Sequence, residues 1–238
     1  MTRVGADAED SSPAMKRILP FIVIALVALL TVGSAVVMYR VKTRPAPATA
    51  ASPAGTPKPA EAPENPSLHV RGPRNAPVTL EIYGDFQCPP CGFATQAIDD
   101  LQKQYQGKLR IIFYEFPLAM HRHAMEAAMA AEAAAVQGKF WEMHDMLYQY
   151  QPIWSSAEDA GSFFESYAEL IGLDVARFNA DRQAADLRLH IMEDGNNGEK
   201  RGVKTTPSIF INGTELRGST KDKMQEMIEA ALASKKSS

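Results

Sequence analysis

Gly84-Asp85-Phe86-Gln87-Cys88-Pro89-Pro90-Cys91-Gly92 is the stretch whose surroundings decide the fold. It continues a β-branched and apolar run, Ala76 to Gln87 (APVTLEIYGDFQ), that reads as a buried strand ending in a turn. Beyond it, in FATQAIDDLQKQYQ, Phe93, Ala97, Ile98, Leu101 and Tyr105 recur at helical spacing, so a helix starts at or just after Cys88. Proline is tolerated in that first turn, where the N–H would have no intrahelical partner. Leu109 to Phe116 (LRIIFYEF) then reads as a second strand.

The chain has 238 residues and only two cysteines, both in this motif. A disulfide-stapled scaffold or a structural zinc site needs about four thiol or imidazole groups at short spacings. Neither framework is available, and no metal site is expected. The order strand, C-x-x-C, helix, strand is the context in which such a motif does redox chemistry. A helix N-terminus offers partial positive charge and free N–H groups that favour a thiolate, and the thiolate is the nucleophile of disulfide exchange. Cys88 is the expected attacker and Cys91, one turn inside, the resolving thiol. Pro89 and Pro90 withhold N–H groups from the Cys88 sulfur, so donors must come from Cys91 onward. A Cys88 pKa below the free value of about 8.5 follows. Two inert structural thiols are the plainer alternative.

Residues Gly202 to Gly218 (GVKTTPSIFINGTELRG) read as strand, Asn-Gly turn, strand, the dipeptide being a type I′ hairpin signal. That turn also explains the glycosylation-like triplet Asn212-Gly213-Thr214. Thr206-Pro207 opens the strand, a position where proline is permitted and a cis bond is purposeful. Between the strands, His121 to Gln137 is rich in Ala and Met and is stopped by Gly138. Lys139 to Tyr150, Glu158 to Ile171, Asp174 to Ala180, Asp181 to Asn196 and Thr220 to Ser234 read as further helices. His121, His123 and His144 lack a carboxylate at ligand spacing and are read as packing or surface residues. The methionines at 120, 125, 129, 143 and 146 are read as core filler.

The blocks GDFQCPPCG, FPL with His121 and Ala124, QGKFWEMHD and TTPSIFING stand in order from Gly84 to Gly213. On them, Ala76 to Ala233 resembles the DsbA-like branch of the thioredoxin superfamily. The resemblance implies an α/β thioredoxin fold, a central mixed sheet of four or five strands interrupted by a helical insertion at about 118–201. It implies that Thr206-Pro207 faces the motif as a substrate-binding loop, with Thr206 pairing an extended peptide by its backbone. It also implies a membrane redox partner, quinone-linked in the family, that recycles Cys88 and Cys91, and no bound cofactor. One position departs from the family: the acid commonly found six residues before the first cysteine is Ile82 here. Glu81 is one residue away and faces the other side of the strand. The proton relay is therefore absent or taken over by water or Glu115.

Upstream, Ile18 to Tyr39 runs 22 residues without a charge. At about 1.5 Å per residue it matches a hydrocarbon core of about 30 Å, so a single N-terminal transmembrane helix is expected. Residues 1–17 are its cytoplasmic flank, and 40–66 form a Pro/Ala-rich linker with prolines at 45, 47, 53, 57, 59, 63 and 66. That composition cannot bury a core and favours extended polyproline II, with a reach of roughly 80 Å. Residues 67–238 form the remaining domain. Of the overall charge of −3, this domain carries −5, and without a basic patch it has no electrostatic reason to bind nucleic acid. Positive charges flank the span three against three, so orientation rests on chemistry. Disulfides form outside the cytosol. The expectation is a single-pass protein of the cytoplasmic membrane, its domain periplasmic or otherwise extracytoplasmic, exchanging disulfides with unfolded or folding secreted proteins as an oxidase. Reductase or isomerase work in the same compartment, and a tethered peptide-binding or chaperone role, are the alternatives.

Overall fold

The computed structural model describes residues 69–236. The expected flank 1–17, anchor 18–39 and linker 40–66 lie outside the described residues. Among the described residues, no helix is long and apolar enough to cross a membrane.

Five strands form one mixed sheet: β1 (His69–Arg71), β2 (Val78–Gly84), β3 (Leu109–Glu115), β4 (Ser208–Ile211) and β5 (Thr214–Glu215). Their order is β1-β3-β2-β4-β5, with β2 and β3 parallel and the other neighbours antiparallel. The parallel pair needs a crossover, which α1 (Pro89–Gln104) supplies. On one face, Val78, Leu80 and Ile82 of β2 pack in the main core with Ile98 and Leu101 of α1. Met224 and Ile228 of α8 (Lys221–Lys236) complete it. The alternation puts Glu81 and Tyr83 on the opposite face. There Tyr83 clusters with Phe116, Val203 and Phe210, and Glu81 pairs with Arg201, whose guanidinium lies 3.8 Å over the Phe210 ring.

Between β3 and β4 run α2 (Ala124–Val136), α3 (Phe140–Gln149), α4 (Gln151–Trp154), α5 (Gly161–Leu170), α6 (Val175–Asp181) and α7 (Ala185–Arg201). This is the expected helical insertion. Buried alanines on several sides of α2, including Ala127, Ala130, Ala131 and Ala134, let α3 and α7 approach closely. Asn212 and Gly213 both hold positive φ, 47° and 82°, as the hairpin turn requires. Asn212 Oδ1 also accepts from the Thr79 N–H at 2.8 Å, fastening the hairpin tip to β2.

Four details differ from the sequence reading. Phe93, assigned to the core face of α1, is 75% exposed, and Ala94 takes the buried place. Met120 is 82% exposed, whereas Met129 and Met143 are core filler as expected. The short edge strand β1 carries too few residues to show a pattern. The last insertion helix begins at Ala185 and runs past Asn196 to Arg201, where Gly202 closes it with φ 97°. Gly198 explains the extension: it lets α7 press onto Phe116 and Tyr83, whose ring carbons would lie 2.9 Å from any Cβ. Packing thus outweighs the weak helix propensity of Gly195-Asn196-Asn197-Gly198.

Candidate active site

The main chain leaves β2 at Gly84, turns through Asp85-Phe86-Gln87, and enters α1 with Cys88 as its N-cap (φ −75°, ψ 115°). Pro89 and Pro90 occupy the first turn and are exposed. The Cys88 N–H donates to the Asp85 carbonyl at 3.1 Å, and the Cys91 N–H to the Cys88 carbonyl at 3.0 Å. Both cysteines are free thiols, 5% and 2% exposed. The Thr206-Pro207 peptide is cis. The Cys88 thiol donates to the Thr206 carbonyl at 3.4 Å, a contact that closes 118 residues of chain. Cys88, Pro89, Pro90, Cys91, Thr206 and Pro207 are therefore brought together at one end of the sheet.

The two thiols are driven apart in acidity. Cys88 is pushed down from an ordinary 9.0 to about 6. The hydrogen bond from Cys91 is the largest cause; burial opposes it, and Thr206 and the Cys91 amide add to it. Among the described residues the buried Thr206 Oγ1 has no hydrogen-bond partner, which leaves it available to the sulfur. Cys91 is pushed well up, first by burial and then by its hydrogen bond to Cys88. The outer sulfur is a thiolate near neutral pH and the inner one keeps its proton, which is the division of labour an exchange reaction needs.

Several residues brace this arrangement. Asp85, 1% exposed, accepts from the Gln87 N–H at 2.7 Å and the Leu118 N–H at 2.8 Å, and lies 2.7 Å from His121 Nδ1. It joins the motif turn to the chain leaving β3. The Gln151 amide donates to the carbonyls of Phe86 and Cys88 at 2.6 and 3.0 Å, and Gln87 bridges the His123 N–H and the Ser155 carbonyl. The sequence pattern shows a turn at this point but carries no signal for Gln151, which acts across more than 60 residues. It also left His121 without a role.

Glu115 ends β3 on the face of Leu109, Ile111 and Phe113 and is completely buried. Among the described residues, neither carboxyl oxygen has a hydrogen-bond partner, and burial holds the group far above the usual carboxylate range. The Tyr148 hydroxyl, also buried and unpartnered, interacts electrostatically with both Cys91 and Glu115. Glu81, by contrast, is committed to Arg201 on the other face.

A groove of about 630 Å3 opens beside the cis-proline loop. Its lining mixes apolar side chains, among them Phe116, Met125, Ile191 and Val203, with polar Glu199 and Lys204, the latter two residues before Thr206.

This site stands on a fold with known relatives. The family described as thioredoxin matches residues 64–230, and the chain belongs to it. Among curated proteins, the Na(+)/H(+) antiporter NhaA 1 of Salinispora arenicola is 43% identical over 155 residues, 63% of this chain and 22% of that protein. The antiporter NhaA of Herminiimonas arsenicoxydans is 37% identical over 67% of this chain and 25% of its own length. The chain thus spans a quarter or less of these relatives, and the antiporter name describes the longer proteins. Among solved structures, BdbD from Bacillus subtilis superposes with TM-score 0.63 at 23% identity, covering 70% of this chain and 94% of its own. The α-DsbA1 of Wolbachia pipientis gives 0.64 at 20% identity, over 72% and 94%. These two likenesses speak to the fold.

Proposed function

We propose that this chain is a thiol:disulfide oxidoreductase that oxidises secreted or membrane proteins outside the cytosol. The observation that carries the proposal is the asymmetry of the pair: an acidified Cys88 held against the cis Thr206-Pro207 loop, and a buried Cys91 that keeps its proton. Structural thiols need no such asymmetry. The names of similar structures, among them a thiol-disulfide oxidoreductase from Corynebacterium diphtheriae, point the same way.

In the oxidising direction a substrate thiolate attacks Cys88 Sγ of the Cys88-Cys91 disulfide. The S–S bond breaks, Cys91 leaves with the electron pair and takes a proton, and a mixed disulfide forms at Cys88. A second substrate thiolate attacks the substrate sulfur of that bond and expels Cys88 as a thiolate. The substrate has then lost two electrons and the enzyme holds them. In the reverse traffic Cys91 resolves the mixed disulfide. Glu115, neutral through burial, is the buried acid we assign as the source of the Cys91 proton; among the described residues no hydrogen bond joins it to the Tyr148 hydroxyl between them, so the transfer needs a bridging water or a side-chain movement. A stabilised Cys88 thiolate favours the reduced enzyme and makes the disulfide the more oxidising form. Thr206 presents backbone groups to an extended substrate segment, and the adjoining groove receives its side chains.

Recycling requires a membrane redox partner, and the span Ile18 to Tyr39 with the linker 40–66 would hold the domain within its reach. The test is a Cys91→Ala variant expressed in cells. An exchange enzyme accumulates substrates as mixed disulfides on Cys88 that reductant releases, whereas a tethered peptide-binding module accumulates none. Equilibration with glutathione buffers gives the direction. A potential near about −120 mV marks a disulfide donor, and one near about −270 mV a reductant, which would overturn the oxidase reading.

A further inference from the structure

Away from the redox motif, three elements bring His69 of β1, Glu132 of α2 and His190 of α7 to one point. His69 Nε2 lies 2.7 Å and His190 Nε2 3.7 Å from the same oxygen, Glu132 Oε1, and no pair among the three ligand atoms exceeds 4.8 Å. His69 and Glu132 are 6% and 3% exposed. The His69 ring is fixed by parallel stacking on Phe140 at 3.4 Å between centroids. His190 Nε2 is shielded from solvent and, among the described residues, has no hydrogen-bond partner. A buried His69-Glu132 pair explains one imidazole. It does not give the second ring a hydrogen bond: among the described residues its buried nitrogen comes no nearer than an ion-pair distance of 3.7 Å to the same carboxylate, which leaves its desolvation only partly offset.

We infer that His69, Glu132 and His190 form a binding site for one zinc ion. Around a tetrahedral zinc, with bonds of about 2.0–2.2 Å, ligand atoms sit roughly 3.3 Å apart. The observed 2.7 and 3.7 Å separations bracket that spacing and the third is at most 4.8 Å, so binding would draw Glu132 and His190 into place around a His69 ring already held by Phe140. Two imidazoles and one carboxylate form a borderline donor set that suits zinc, whereas calcium and magnesium take oxygen ligands. A cavity of about 570 Å3 leads to the trio and is also lined by Asp186 and Glu193. These exposed carboxylates stand four residues before and three after His190, on its face of α7, and either one or a water completes the fourth position. The ion ties the edge strand β1 to two helices of the insertion, so its role is to clamp insertion to sheet.

The test is a competition titration of the purified full chain with Zn2+ against a chromophoric chelator. The protein is kept in the Cys88-Cys91 disulfide form so that the thiols cannot ligate. One Zn2+ per chain is expected, with affinity lowered at least about tenfold in His190→Ala, a partly exposed position whose loss the fold should tolerate. Zn2+ should raise the melting temperature of the parent and not of the variant. Co2+ should give the visible bands of a four-coordinate site in the parent alone. No saturable site in the parent, or equal affinity in parent and His190→Ala, overturns the inference.

Discussion

Cys88 and Cys91 are separated by two prolines, yet one sulfur is acidified to about 6 while the other is driven upward. Since the hydrogen bond from Cys91 is the largest cause, Cys91→Ala should raise the Cys88 titration midpoint, read from ultraviolet thiolate absorbance. An unchanged midpoint would assign the acidity to the helix terminus instead. The same shift makes stability depend on pH. Between about 6 and the ordinary 9.0, the native dithiol has shed the Cys88 proton while the unfolded chain still holds it. Stability of the reduced protein therefore rises with pH across that window and is lost as pH falls through about 6. Above 9.0 the unfolded chain ionises both thiols while native Cys91 stays protonated, and the trend reverses. Melting curves of the reduced protein and of Cys88→Ala should converge at the acid end of the window and separate toward its alkaline end. Glu115 makes a different prediction. A buried carboxyl without partners costs stability, so Glu115→Leu should raise the melting temperature and slow the step in which Cys91 takes a proton. A variant that is both less stable and fully active would remove Glu115 from the mechanism.

Two elements hold the site by contacts that propensity does not favour. In α7, Gly198→Ala would gain about 1 kcal/mol of helix propensity. The added Cβ would meet Phe116 and Tyr83 at 2.9 Å, and overpacking of that kind costs about 1–3 kcal/mol, so a net loss in denaturant midpoint is expected. An increase would mean that α7 shifts freely on the sheet. At the turn before α1, Asp85→Ala would leave the Gln87 and Leu118 N–H groups without their acceptor, at about 1–3 kcal/mol for each one that stays buried. The loop after β3 should loosen together with the motif. Faster hydrogen exchange at Leu118 as well as at Gln87 would register that coupling.

For the whole molecule, the order β1-β3-β2-β4-β5 puts the start of α1 and the strand-opening proline at the same end of adjacent strands β2 and β4. The antiparallel pairing of β2 with β4 does this: the end of β2 that feeds the motif lies beside the beginning of β4, as Tyr83 opposite Ser208 records. Cys88 and the cis Thr206-Pro207 peptide then meet across one strand spacing. The proposed function rests on a membrane anchor at 18–39. Removing residues 1–39 should release the protein from the membrane fraction while leaving its exchange rate with soluble peptide unchanged. Retention in the membrane would place the anchoring elsewhere.

Sequence alone determined what depends on neighbours along the chain. A β-branched run before C-x-x-C and a helical period after it place a dithiol at a helix N-terminus, and Gly138 and Asn212-Gly213 mark where chain direction changes. These features rest on backbone sterics and side-chain period, which act over a few residues. The sequence already points to Cys88 as the thiolate; tertiary structure decided how far the two sulfurs part, because the hydrogen bond from Cys91 and the Thr206 side chain, 118 residues along the chain, act on Cys88 while burial falls most heavily on Cys91. The same holds for the neutral Glu115, for Gln151 bracing the motif, and for His69, Glu132 and His190 converging from three elements. Desolvation and close polar contact are set by atoms that folding brings from far along the chain, and no local pattern encodes them.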